Sequence, residues 1–345
     1  MDRRGVGGVR RRPGPHAGGH RVTIDHISEL HGLPVYDFPR AGEEDGPLPA
    51  AETVAWRLAR DPFRTDEESF DLCWERFLDT VDPARVRALV LGAGAYGTED
   101  SGDDPEETAE RLAAAAGRLT GLRALYLADL TFEEAELSWI VQGDVSPVLA
   151  AYPRLEELAV RGSNGGFEDE PGLRLTPLRH EHLRVLRFEN GGLPREVVQG
   201  LVACDLPRLE RLDLWLGDEY YGRTTTVADL APLLAGDALP ALRHLGLQNS
   251  DVQDEVAAAV ATAPVVARLT SLHLGLGTLG DAGAEALLTG QPLTHLEELD
   301  LHHHFLSDPM MRRLREALEP FGVEVDLGEQ EKADEDGSRY TAAGE

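Results

Sequence analysis

The stretch Leu293-Thr-His-Leu-Glu-Glu-Leu-Asp-Leu-His-His-His-Phe-Leu306 decides the fold. Its kernel, Leu296-x-x-Leu299-x-Leu301, has one leucine followed three residues later by a pair spaced by two. Spacing by two puts Leu299 and Leu301 on one face of a short strand, with Leu296 on the turn that leads into it. The same frame stands at Leu269-x-x-Leu272-x-Leu274, Leu242-x-x-Leu245-x-Leu247, Leu209-x-x-Leu212-x-Leu214, Leu183-x-x-Leu186-x-Phe188, Leu155-x-x-Leu158-x-Val160 and Leu122-x-x-Leu125-x-Leu127. A looser first copy is Val86-x-x-Leu89-x-Leu91. From Leu89 through Leu125, Leu158, Leu186, Leu212, Leu245 and Leu272 to Leu299 the steps are 36, 33, 28, 26, 33, 27 and 27 residues. The shorter steps suit a unit of roughly 20 to 29 residues holding a strand and a helix.

Helical composition falls between these strands, at Pro105 to Leu119, Leu193 to Cys204, Val227 to Leu234, Asp254 to Ala263, Asp281 to Leu288 and Asp308 to Leu318. Several of these segments open on Asp or Pro, residues suited to a first helical turn. Strand, turn and helix repeated in one hand predict an α/β right-handed leucine-rich-repeat solenoid, a horseshoe with a parallel concave sheet and a helical convex side.

The repeats, above all Leu279-Gly-Asp-Ala-Gly-Ala-Glu-Ala-Leu-Leu288 after Leu272-His-Leu, resemble ribonuclease-inhibitor-type leucine-rich repeats. His26-Ile-Ser-Glu-Leu-His-Gly-Leu-Pro-Val-Tyr-Asp-Phe-Pro39, with Leu299 to Asp308, also looks like a group of actinobacterial cytoplasmic leucine-rich-repeat proteins. This resemblance implies a binding scaffold without catalytic residues. The asparagine position departs from the repeat consensus, since only Asn190 and Asn249 stand near a strand end, so no continuous asparagine ladder is expected.

Four regions follow. Residues 1–21, with six arginines and little to bury, read as a disordered basic tail, with Val22 as an alternative start. Residues 22–85 lack the frame and read as an N-terminal α+β cap: a strand at Val54 to Leu58, then an apolar helical stripe of Phe70, Leu72, Cys73, Phe77, Leu78 and Val81 opened by Asp66, Glu67 and Glu68. Trp56, Phe63 and Trp74 supply its bulk. Residues 86–327 hold about eight copies and a terminal strand, Val323-x-Val325-x-Leu327. Residues 328–345 read as a solvated acidic tail in which Tyr340 is the one candidate anchor.

Composition narrows the function. A formal charge of −29 over 345 residues argues against a broad grip on nucleic acid or anionic membrane. No apolar run reaches the length of a membrane span, and no apolar segment follows the N-terminal arginines as a secretory signal would require. Cys73 and Cys204, far apart in apolar patterns, read as free buried thiols in the cytoplasm. Gly92-Ala-Gly-Ala-Tyr-Gly97 matches a dinucleotide fingerprint, but no helix opens at once and the following acidic run from Glu99 to Glu107 would repel phosphate. Asp100 to Asp104 and Asp334 to Gly337 lack the glycine and spacing of a calcium loop. Enzyme signatures are missing, and neither a cofactor nor a metal is expected.

In the frame L-x-x-L-x-L-x the third, fifth and seventh side chains leave the core on the other face of the strand. There the middle copies carry Tyr126, Arg161, Arg187, Glu189, Arg211, Asp213 and Trp215, joined by Tyr220 and Tyr221 on a lengthened loop and by Phe167 after Arg161. Large aromatics and arginine are favoured in interface hot spots. Farther on, His244, His273, Asp300 and His302 take such positions in three consecutive copies, with His303 and His304 just beyond. The expectation is a non-enzymatic protein-protein interaction scaffold whose partner meets Tyr126, Arg161, Arg187, Glu189, Arg211, Asp213, Trp215, Tyr220, Tyr221, His244 and His273. Two alternatives stand beside it: a metal-dependent enzyme or metal-binding protein using His244, His273, Asp300 and His302, whose diagonal placement spreads the outer pair, and a structural component of a cytoplasmic assembly.

Overall fold

The structure, a computed structural model, describes residues 24–43, 46–60, 68–97, 104–163 and 172–344. The segment 1–21, Val22, Phe63, Asp66, Glu67, Phe167 and the acidic run from Glu99 to Asp103 lie outside the described residues.

Among the described residues one sheet of twelve strands runs in chain order. The strands are β1 (Glu29–Leu30), β2 (Leu33–Asp37), β3 (Ala55–Leu58), β4 (Ala88–Leu91), β5 (Ala124–Leu127), β6 (Glu157–Arg161), β7 (Val185–Glu189), β8 (Arg211–Gly217), β9 (His244–Ser250), β10 (Ser271–His273), β11 (Glu298–Asp300) and β12 (Glu324–Asp326). β1 and β2 form an antiparallel hairpin, and every later neighbour is parallel. Parallel neighbours need a crossover between them. Helices α1 (Phe70–Thr80), α2 (Pro105–Ala115), α3 (Ser146–Ala151), α4 (Arg195–Ala203), α5 (Val227–Ala235), α6 (Gln253–Val260), α7 (Asp281–Thr289) and α8 (Asp308–Leu318) lie in those crossovers. None of these helices is long and apolar enough to cross a membrane.

The fourth positions of the frame stand in one register across the sheet: Leu89, Leu125, Leu158, Leu186, Leu212, Leu245, Leu272 and Leu299 are paired strand to strand. All are buried, and they share one core with Leu112, Val148, Val197, Leu230, Val256, Leu287 and Leu314 from the helices. Trp56 extends the row, pairing with Leu89, so β3 belongs to the same sheet and the expected boundary at residue 85 is no break in it. The missing signal was the leucine itself, since a tryptophan fills its place.

Local chemistry sets the helix ends. Ser69 accepts the Leu72 amide to open α1, and Thr226 and Asp229 form a reciprocal capping box on α5. Ser307 does the same for α8 by accepting from Met310. Leu72, expected inside, is exposed on α1, because the helix turns Phe70, Cys73, Trp74, Phe77 and Leu78 inward instead. α3 escaped the sequence reading, its six residues being too few to show a period. Cys73 and Cys204 are both buried.

Recurrence extends to the backbone. Gly162, Asn249, Leu276 and His303, each four residues beyond a fourth-position leucine, have φ of 100°, 54°, 64° and 51°. Left-handed backbone costs a non-glycine residue about 1 to 3 kcal/mol unless its surroundings hold it, so these turns are imposed by the packing around them.

The C-terminal segment is not a solvated tail throughout. Tyr340 packs edge-on against Phe305 and His303 at 5.4 and 5.8 Å. The Ala342 amide donates to Leu276 O at 2.8 Å, and Ala342 and Ala343 are buried. Asn249 clamps one residue from both sides, accepting the Ala343 amide at 3.0 Å and donating to its carbonyl. The Tyr221 ring lies over Gly344, where a Cβ would stand 2.6 Å from its edge. Composition concealed this docking, because the anchoring atoms are those of the main chain. Deleting residues 340–345 leaves the buried Asn249 amide short of partners, a cost of about 1 to 3 kcal/mol. The urea midpoint of the truncated chain should drop accordingly; a midpoint equal to that of the full chain would show that the segment is not docked in solution.

Candidate functional site

The third, fifth and seventh positions define the face of the sheet turned away from the helices. In register from β5 to β11, the fifth positions read Tyr126, Ala159, Arg187, Asp213, Gly246, His273 and Asp300. The third positions from β6 to β11 read Glu157, Val185, Arg211, His244, Ser271 and Glu298. Strands only about 4.8 Å apart bring these acids and bases into contact.

The first half of this face is covered. The β1–β2 hairpin and the residues before it lay Leu30, Ile27, Leu33 and Val35 over Ala55, Ala88, Val90, Ala124, Tyr126 and Ala159, forming a second, smaller apolar core. Beside that core runs a buried ionic cluster. Arg161 donates to Glu189 Oε2 at 2.8 Å and to Leu130 O at 2.6 Å, and the Tyr126 hydroxyl donates to the same Glu189 oxygen at 2.6 Å. Asp129, fully buried, accepts from Arg57 at 3.0 Å and from the Ile27 amide at 3.1 Å. Burial pushes the Glu189 carboxyl up, but Arg161 and Arg187 outweigh it and hold it below the usual carboxylate range. Burial, then Glu189, pushes the Tyr126 hydroxyl well up.

Asp213 is the hub of the second half. Arg211 Nε donates to its Oδ2 at 2.8 Å, and Arg187 Nε lies 3.7 Å from the same oxygen. His244 Nε2 is 2.7 Å from Asp213 Oδ1, and His244 Nδ1 is 3.0 Å from Ser271 Oγ, which donates to Glu298 Oε2 at 2.8 Å. The His244 and His273 rings meet edge to face, 4.4 Å apart. Although desolvation opposes it, contact with His244, Arg211 and Arg187 holds the Asp213 carboxyl far down. For His244, burial prevails over the attraction of Asp213 and keeps the imidazole below its ordinary value. His302 is raised by its 2.6 Å contact with Asp300.

These positions correct the expected partner surface. Tyr126, Arg161 and Glu189 are buried and hold one another, and Asp213 is buried among Arg187, Arg211 and His244. His244 is buried as well, and Tyr221 is turned onto the C-terminal segment. Arg187, Arg211 and Trp215 remain half-buried at the surface, and Tyr220 is 66% exposed at the edge of the 3-10 turn Glu219–Tyr221. The expected group of His244, His273, Asp300 and His302 forms a line of contacts, with His273 Nδ1 3.6 Å from Asp300 Oδ2. His303 and His304 are fully buried, with His304 Nδ1 accepting the Leu306 amide at 3.1 Å, and His302 is tied to Asp300. At its other end His244 and His273 also come within 4.8 Å of Asp213. Sequence reasoning missed Asp129, Arg57, Ser271 and Glu298. Ser271 and Glu298 were legible as third positions, whereas Asp129 lies outside the frame. It also missed a recess of about 260 Å³ between hairpin and sheet, bounded by Leu30, His31, Tyr126, Glu157 and Arg187.

The chain is thus an α/β protein built on one extended, largely parallel sheet. No protein-family profile matches it, and no curated protein matches it. Among solved structures, the crystal structure of a Bacteroides fragilis protein, a structural-genomics target, is similar with a TM-score of 0.69 at 26% identity, covering 81% of this chain and 76% of that one.

Glu189→Gln tests the buried cluster. The amide preserves shape but removes the nearer of the two carboxylates around Arg161, leaving Asp129 at 3.8 Å, and breaking a buried pair typically costs about 3 to 5 kcal/mol. Because the folded carboxyl is depressed, its contribution is present above the unfolded value of roughly 4.3 and is lost as pH falls below it. Denaturant unfolding should therefore show a lower midpoint at neutral pH and a shallower acid decline in the variant. An unchanged midpoint and an unchanged acid decline would refute the pairing.

Proposed function

We propose that this chain is a right-handed leucine-rich-repeat solenoid of the ribonuclease-inhibitor-like type, a horseshoe with the sheet concave and the helices convex, that serves as a non-enzymatic scaffold for a protein partner in the cytoplasm. The repeat lengths, the single register of fourth-position leucines and the recurring left-handed turns support the architectural part.

The observation that carries the functional part is a group of large side chains held on a rigid sheet face. Arg187 and Arg211 both converge on Asp213, Trp215 follows on the same strand, and Tyr220 projects from the loop just after it. Side chains already fixed by buried contacts lose little freedom when a partner docks, so more of the contact energy reaches the affinity. Tryptophan, tyrosine and arginine are also the residue types that dominate interface energetics. The recess beside Arg187 offers a depression for a partner side chain. Tyr220, not Tyr221, takes the role of second anchor, because Tyr221 is occupied by Gly344.

Truncating an aromatic anchor commonly removes about 2 kcal/mol or more of binding free energy, which is roughly thirtyfold in affinity. Trp215→Ala, in a variant shown to unfold like the parent, should weaken binding of the partner recovered from the source cytoplasm by about that factor. Arg211→Ala should give a smaller, salt-sensitive loss. Glu316→Arg, on the exposed side of α8, should change nothing. Loss of binding in Glu316→Arg with none in Trp215→Ala would move the interface to the helices and favour a structural role in an assembly.

A further inference from the structure

Beside the proposed partner face, and sharing Asp213 with it, lies a cluster that the fold assembles from three adjacent strands. We propose that Asp213 on β8, His244 on β9 and His273 on β10 form a site for one divalent first-row transition cation, with zinc the preferred occupant. One ligand atom from each of the three residues lies within 4.8 Å of the other two. Zinc bonds to nitrogen and oxygen of about 2.0 to 2.2 Å set tetrahedral ligands roughly 3.5 Å apart, so binding asks His273, the least buried of the three, to turn inward and the 2.7 Å contact of His244 Nε2 with Asp213 Oδ1 to open slightly.

Gly246 makes the juxtaposition possible. It holds the fifth position of β9, between Asp213 and His273 in the same row. A Cβ at Gly246 would stand 2.3 Å from Asp213 Oδ1 and 2.8 Å from Gln248 Nε2. Its absence lets the Asp213 carboxylate lean across β9 toward the two rings, and any larger residue would close that passage.

Proton accounting at His244 points the same way. Ser271 spends its hydroxyl proton on Glu298, so His244 Nδ1 must supply the proton in its contact with Ser271. In the neutral ring, Nε2 then presents a lone pair to Asp213 Oδ1 at 2.7 Å. Two electron-rich atoms at that distance need a positive charge between or beside them. A metal ion at this point supplies that charge. His273 Nε2 adds a second observation: it is buried without an aligned hydrogen-bond partner, although Glu298 Oε2 lies 3.1 Å away.

The surroundings fit a metal shell. Arg211 holds Asp213 Oδ2 and so turns Oδ1 toward the rings, while Ser271 and Glu298 orient His244 from behind. Partners of this kind fix ligand orientation in metal sites. Two imidazoles and one carboxylate suit zinc and its first-row neighbours rather than calcium or magnesium, which take oxygen ligands. Three protein ligands leave one position open on a tetrahedral ion. The neighbouring group of Asp300, His302 and Asp326 is the natural rival. There the imidazole is committed to Asp300 at 2.6 Å, and Asp326 Oδ1 accepts the Gly328 amide at 2.8 Å.

The test uses the full chain without a histidine tag, dialysed to equilibrium against zinc chloride, with cobalt substitution as a spectroscopic readout. The expected result is one zinc per chain, cobalt absorption typical of four-coordination, and a melting temperature that rises with zinc concentration. His273→Gln should weaken zinc binding by roughly tenfold or more and abolish the thermal shift. Gly246→Ala, which removes no ligand, should weaken it as well, and His302→Gln should leave it within about twofold. Unfolding of each apo variant is measured alongside, so that a folding defect is separated from a lost ligand. Failure of the parent to retain zinc, retention unchanged in His273→Gln, or loss in His302→Gln would each overturn the assignment.

Discussion

Each strand must bury its fourth and sixth side chains while its neighbours do the same in register. Leu125 opposite Leu158, and Leu158 opposite Leu186, state this requirement in its simplest form. A slip of one residue would turn those leucines to the opposite face and bring Tyr126 or Arg187 into the helical core. The register is therefore strongly specified, and the order of side chains on the other face follows from it.

That other face carries its polarity in an unusual way for a sheet surface. Arg161 and Glu189, Asp213 and His244, and Arg57 and Asp129 are largely withdrawn from water. Isolated charges in such places would be costly, and each is tolerated because a neighbour on the next strand or loop supplies the opposite charge or a hydrogen bond. Parallel pairing makes this possible, since equivalent positions on successive strands lie side by side. The same pairing holds Arg187 and Arg211 in fixed positions at the surface, which gives the proposed partner face its rigidity.

The two chain ends finish the molecule by different means. The N-terminal hairpin uses apolar side chains, laying Leu30 and its neighbours on a patch of alanines, Val90 and Tyr126. The C-terminal segment relies chiefly on main-chain bonding, as Ala342 and Ala343 attach to Leu276 and Asn249 beyond the strand ends. Between them the face from β7 to β10 stays the more accessible part, and there the half-buried arginines and Trp215 adjoin the pair of imidazoles around Gly246.

Leucine spacing was sufficient to read the strands from β4 to β11 and six of the helices, because alternate burial leaves a period that needs no knowledge of contacts. It also identified which residues turn away from the core, since that face is simply the complement of the leucines. Trp56 kept β3, legible as a strand, outside the leucine frame, and α3 was too short to have a period. The tertiary structure alone decided which outward residues reach solvent. Tyr126 and Asp213 have the spacing of surface positions, yet a hairpin about a hundred residues earlier in the chain closes over the first and two arginines with a histidine enclose the second. His244 meets Asp213 for a similar reason. Spacing places side chains along a strand, but the empty volume at Gly246 determines which of them can meet across it.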